Sequence, residues 1–177
     1  MNLANKITIT RIALIPLFLF VFQLYPAWAV AIFILASATD KLDGYVARKY
    51  NQVTNLGKLL DPLADKLLIS VALILMVQHH LIPSWIAVVI IGREVFISAI
   101  RIAASARGIA LAADQYGKWK MVLQVVGITA VLLHNYPFQY VTTFPIDVLL
   151  LYAAVALTIY SGYNYLKNNY KRLQLEL

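Results

Sequence analysis

Apolar residues along this chain gather into six long runs separated by short breaks. The runs cover roughly 7–24, 28–48, 57–77, 84–106, 118–134 and 145–166. Each is close to the ~20 residues that a helix needs to cross hydrocarbon. Three breaks contain proline: Tyr25-Pro26, the stretch from Gln78 to Pro83, and Asn135-Tyr136-Pro137. Proline commonly follows a helix end because it cannot continue the helix. The other two breaks, Lys49 to Leu56 and Arg107 to Gly117, are polar and basic. The pattern predicts an all-α integral membrane protein of six transmembrane helices, a single domain over residues 1–177.

Composition supports the membrane reading. Of 177 residues, 62% are hydrophobic and only 13% are charged. A soluble domain of this size has a large surface for its volume, and so few charges would not cover it. The chain has no cysteine, which excludes disulfides, zinc thiolate sites and cysteine nucleophiles. His79, His80 and His134 lie in short connections and read as solvated polar residues. The tyrosines near segment ends read as interfacial anchors. Tyr152, Tyr160 and Tyr163 are also candidates to face a partner subunit.

The net charge of +7 is distributed unevenly. Lys6 and Arg11 begin the chain. Arg48, Lys49 and Lys58 flank the second connection, and Arg107, Lys118 and Lys120 flank the fourth. Lys167, Lys171 and Arg172 follow the sixth segment, whereas the first, third and fifth connections hold no Lys or Arg. Basic loops stay on the cytoplasmic side, so both termini are expected there. Lys6 and Arg11 ahead of an apolar run also resemble a signal peptide. Pro26 and Trp28 do not form a small-residue cleavage site, and another apolar run follows at once, so an uncleaved first span is expected.

Against this apolar background, four of the eight acidic residues fall between positions 40 and 65. A carboxylate facing lipid costs several kcal/mol, so these four should face the bundle interior or a polar cavity. Asp40 and Asp43 are three apart, which puts them on one helix face, with Gly44 and Ala47 continuing it. Gly57, Asp61 and Asp65 form a ladder with a step of four. Two helices joined by a short loop are antiparallel neighbours, so the two pairs can meet at one depth. Four nearby carboxylates repel unless they are protonated or bound to cations. An oxygen-only ligand set favours Mg2+, Mn2+ or Ca2+ over zinc. The small residues leave room for a bulky ligand, and Arg48 supplies a phosphate donor at the rim. Metals, arginine and space together suggest a bound diphosphate. Salt bridges to Lys41, Lys58 or Lys66 are the structural alternative.

The stretch Asp40-x2-Asp43-Gly44-x2-Ala47-Arg48-x8-Gly57-x3-Asp61-x3-Asp65 fills all eight fixed positions of one signature. By that motif and its six-helix plan the chain resembles the CDP-alcohol phosphotransferase family. The resemblance implies transfer of a phosphatidyl group from a CDP-linked donor to an alcohol, with release of CMP. It implies that Asp40, Asp43, Asp61 and Asp65 hold two divalent cations, Mg2+ or Mn2+. It also makes Asp65 the base that deprotonates the acceptor hydroxyl. Gly44, Ala47, Arg48 and Gly57, together with Arg11, would bind the CDP-lipid. A homodimer in a bacterial plasma membrane, with a cytoplasmic active site, is the implied setting. The segments Asn5-Lys-Ile-Thr8-Ile-Thr10-Arg11 and Gly92-Arg93-Glu94-Val-Phe-Ile-Ser98-Ala-Ile-Arg101 are similar to the branch that joins CDP-diacylglycerol to glycerol 3-phosphate.

The fourth and fifth segments agree with an anionic acceptor. Glu94, Ser98, Arg101 and Ser105 fall on one helical stripe, where Glu94 and Arg101 are placed to pair. Arg93 lies about 100° round that helix, while Arg107 and Lys118 stand near the cytoplasmic end. Lys120, Gln124 and Gly127 make a second stripe. Arg93, Arg101, Arg107, Lys118 and Lys120 are therefore the candidate acceptor-phosphate ligands, each equally readable as a topology determinant or lipid headgroup contact. Competing functions are the same chemistry on inositol phosphate, serine or another lipid, an intramembrane prenyltransferase, and a cation transporter. No nucleic-acid role is expected.

Overall fold

Six apolar runs become six helices in a computed structural model of the chain. The structure describes the backbone of residues 3–49, 55–109, 111, 115–134, 136, 140 and 144–174. Within these it describes the side chains of 9–39, 63, 64, 66–109, 111, 115–134, 136, 140 and 144–170. The helices are α1 (Leu3–Leu24), α2 (Pro26–Lys49), α3 (Asn55–Gln78), α4 (Ser84–Ala106), α5 (Gln115–Leu132) and α6 (Ile146–Gln174), with no strand among the described residues. Pro26 opens α2 at the first helical position, where its missing N–H is no loss. α6 runs on past the expected end at 166, through the basic stretch to Gln174. Among the described residues one helix, Ile146–Tyr170, is long and apolar enough to cross a membrane; shorter apolar stretches lie at Ile9–Leu24, Pro26–Thr39 and Lys66–Gln78.

Two helix ends close in the same way. After α3, the His80 N–H donates to Val77 O and the Leu81 N–H to Met76 O, with His80 at φ 57°. After α4, Gly108 at φ 76° repeats the pattern, its N–H donating to Ser105 O and that of Ile109 to Ala104 O. This pair of hydrogen bonds satisfies carbonyls that would otherwise be orphaned, and it needs a left-handed residue at the turn. Glycine takes that conformation freely, whereas His80 adopts it at some cost. His80 therefore caps a helix, and His79 packs edge-on against Phe22 with ring centroids 5.0 Å apart.

The chain divides into two compact units. One is Met1–Leu81 with Leu132–His134, and the other is Ile82–Val131 with Asn135–Leu177. In the first, α1 packs against α2 and α3, and α2 touches α3. Among the described residues of α1, Arg11, Ile15, Phe18 and Phe22 are buried, a stripe of successive turns. Phe18 lies 5.7 Å from Phe22 and 5.8 Å from Phe33 of α2, ring centroid to centroid. Ala64, Leu68, Ala72 and Met76 carry the buried face of α3.

In the second unit, α6 buries Leu151, Ala154, Val155, Thr158, Ser161, Tyr165 and Asn169. α5 comes very near it at Gly127. A Cβ there would lie 3.3 Å from the Leu151 backbone. Polar and small residues at a helix crossing let backbones approach and hydrogen-bond, which suits association in lipid. Gly127→Val is therefore expected to destabilise the unit by about 1–3 kcal/mol, because its branch meets backbone that cannot swing aside. Thermal unfolding in detergent reads this out, and a Tm equal to that of wild type would contradict the close approach.

Candidate active site

The motif residues lie on two touching helices of one unit. Asp40, Asp43, Gly44, Ala47 and Arg48 lie in the C-terminal part of α2, and Gly57, Asp61 and Asp65 in the N-terminal part of α3. Only residues 50–54 separate the two helices, so both groups belong to the same end of the pair. Their helical backbone keeps the two steps of three and four in register. The side chains of all eight motif residues lie outside the described residues, so the expected metal and CDP-lipid contacts do as well. Among the described residues no three His, Asp or Glu gather as a metal cluster.

Arg11 is described, and its place is informative. It is fully buried on α1, and its Nε donates to Thr39 Oγ1 of α2 at 3.5 Å. The Thr39 hydroxyl donates in turn to Ala36 O at 2.7 Å. Thr39 immediately precedes Asp40. A buried guanidinium is tolerated where anions compensate it. The α1 arginine thus reaches α2 one residue before the start of the motif.

The five cations nominated for the acceptor divide into two sets. Glu94 Oε1 accepts from Arg93 Nη1 at 3.3 Å and from Lys120 Nζ. The Lys120 side chain is only 6% exposed, and those of Arg93 and Glu94 are 14% and 16% exposed. Arg93 Nη2 donates to Ser161 Oγ at 2.8 Å. Two nominated ligands are therefore already committed to a carboxylate. The alternative pairing of Glu94 with Arg101 does not form. Seven residues along a helix separate two side chains by about 10 Å, whereas Lys120 reaches Glu94 at its own level from α5. Arg101 is instead exposed, its guanidinium 5.6 Å from the Tyr165 ring centroid. Arg107 and Lys118 are exposed too. Arg107 also lines a cavity of about 200 Å³ with Ile100, Ala103, Ala104 and Ile109.

A family model described as CDP-alcohol phosphatidyltransferase matches residues 1–160. The chain belongs to that family. A CDP-diacylglycerol–glycerol-3-phosphate 3-phosphatidyltransferase of Bacillus subtilis (strain 168) is 44% identical, over 98% of this chain and 97% of that protein. One of Haemophilus influenzae is 38% identical over 94% and 92%, and one of Rickettsia bellii 34% identical over 94% of each.

Three hydroxyls and a glycine that no sequence motif marks also take part in these contacts. Thr39 touches Arg11, Thr158 accepts from Gln124 Nε2 at 2.9 Å, and Ser161 accepts from Arg93. A Cβ on Gly162 would lie 3.3 Å from Arg93 Cγ. Thr158, Ser161 and Gly162 form a small-residue stripe with steps of three and four, the available signal for a close helix crossing. The Lys120, Gln124 and Gly127 stripe does lie on one face of α5, but it packs against α4 and α6.

Proposed function

We propose that the protein transfers the phosphatidyl group of CDP-diacylglycerol to glycerol 3-phosphate, giving phosphatidylglycerol phosphate and CMP. The complete eight-position motif on two touching helices carries this reading, and full-length relatives bearing that activity in their names support it. Asp40, Asp43, Asp61 and Asp65 are the ligands of two divalent cations, Mg2+ or Mn2+. The donor set fits: four carboxylates at one end of a helix pair, with no softer ligand among them. Bound there, the cations neutralise the diphosphate and the departing CMP.

The remaining work falls to this chain's own side chains. Arg11 and Arg48 balance the diphosphate charge. Gly44, Ala47 and Gly57 leave space for the nucleotide. Asp65 takes the proton from the acceptor hydroxyl, and the resulting alkoxide attacks the phosphatidyl phosphorus as CMP leaves. The exposed cations Arg101, Arg107 and Lys118 are the better candidates for the acceptor phosphate, because Arg93 and Lys120 already share Glu94. All six helices span the plasma membrane of a bacterium with both termini in the cytoplasm, as the Lys/Arg distribution requires. The working form is a homodimer.

An acceptor panel tests the reading. Purified protein, CDP-diacylglycerol and Mg2+ or Mn2+ are supplied with each alcohol, and CMP release is measured. Glycerol 3-phosphate should far exceed serine, inositol phosphate and glycerol. Arg101→Ala should raise the KM for glycerol 3-phosphate by about ten- to a hundredfold, the worth of one charge-assisted hydrogen bond. If glycerol without its phosphate served equally well, the acceptor assignment would fail.

A further inference from the structure

Three contacts in the second unit close into a circuit. Glu94 joins α4 to α5 through Lys120. Gln124, one turn on from Lys120, joins α5 to α6 through Thr158. Ser161, almost one turn on from Thr158, joins α6 back to α4 through Arg93. The circuit is mostly out of solvent: Lys120, Gln124, Thr158 and Ser161 are all buried. Each helix is held at two points, which fixes its rotation about its own axis as well as its distance from the others. Gly162 keeps the corner open, since a methyl group there would crowd Arg93 Cγ at 3.3 Å.

The exposed cations ride on the same helices. Arg101 and Arg107 follow Arg93 on α4 and its C-terminal cap, and Lys118 precedes Lys120 by two residues on α5. A rotation of either helix would swing them sideways, because a side chain moves further than the axis that carries it. We infer that Ser161 and Gly162 are positioning residues. They hold Arg93 in the Arg93–Glu94–Lys120 set, which sets the rotation of α4 and α5 and so the aim of Arg101, Arg107 and Lys118 at an anionic acceptor. This rests on the proposed transfer to glycerol 3-phosphate. It assigns Arg93 and Lys120 to orienting the acceptor-binding cations, and leaves direct binding to the exposed three.

The test uses the full-length protein in detergent with Ser161→Ala and Gly162→Ala. The first removes the hydroxyl that Arg93 donates to. The second displaces a flexible side chain by a few tenths of an ångström, so neither charge nor fold is lost. Equilibrium binding of glycerol 3-phosphate, the KM for each substrate, kcat and Tm are measured. Both variants should weaken glycerol 3-phosphate binding and raise its KM by about tenfold, with the KM for CDP-diacylglycerol unchanged. Glu94→Gln should do the same, and Glu94→Asp should recover part of the loss. A lowered Tm with unchanged glycerol 3-phosphate binding would make the circuit structural only and overturn the inference. So would equal rises in both KM values. Failure of wild-type protein to bind or use glycerol 3-phosphate would instead remove the functional reading beneath it, and the two failures are told apart by which protein shows them.

Discussion

Asp65→Asn should lower kcat by about 10²–10⁴, the usual loss when a general base is removed. The amide keeps the size of the carboxylate and one acceptor oxygen, but it cannot take a proton. CDP-diacylglycerol binding should survive in part, because Asp40, Asp43 and Asp61 remain. Single-turnover CMP release separates the chemical step from binding. A fall beyond that range would point to weaker metal binding as well. Near-normal turnover would rule out Asp65 as the base.

The second large effect concerns the cations. Excess chelator should abolish turnover, and Mg2+ or Mn2+ added back should restore it. Asp61→Asn should leave a folded, extractable protein without measurable activity at ordinary metal concentrations. The reason is electrostatic. In the proposed site, four carboxylates at the end of one helix pair would repel each other, and divalent cations would offset that repulsion while binding the diphosphate. A raised metal requirement in Asp61→Asn, measured as a shifted Mn2+ activation curve, separates a lost ligand from a misfolded chain. Full activity in chelator would remove the metal assignment for all four residues.

The helices were legible because each apolar run has a length that physics dictates, and polar or proline residues interrupt the runs where helices end. The carboxylate motif was legible for a related reason. Steps of three and four suit a helix, and α2 and α3 supply helical backbone there, while the side chains of the motif lie outside the described residues. Partner choice across helices was not legible. Glu94 has Arg101 two turns away on its own stripe, and the sequence contains nothing to say that Lys120 of α5 stands at the level of Glu94. The same gap hid Thr39 beside Arg11 and Ser161 beside Arg93, since a lone hydroxyl in an apolar run carries no label for its partner. His80 was illegible in another way. Its left-handed backbone is a property of the turn that follows α3, and histidine does not advertise it as glycine does at Gly108.

The shared carboxylate of Glu94 bears on how the chain enters the bilayer. In the proposed six-span topology, α4 brings Arg93 and Glu94 to the membrane and α5 brings Lys120. On insertion scales a charged side chain at the centre of a lone helix costs about 2.5–3.5 kcal/mol. α5 on its own would bring Lys120, in its second turn, at a smaller cost but with no counter-charge, and α4 would meet the cost with two opposite charges that only partly cancel. Delivered as a hairpin, the two helices bring Lys120 to Glu94 before either is surrounded by lipid. The buried pair thus favours a translocon that releases α4 and α5 together, with α6 closing on them as Ser161 reaches Arg93, over one that passes the spans into lipid singly.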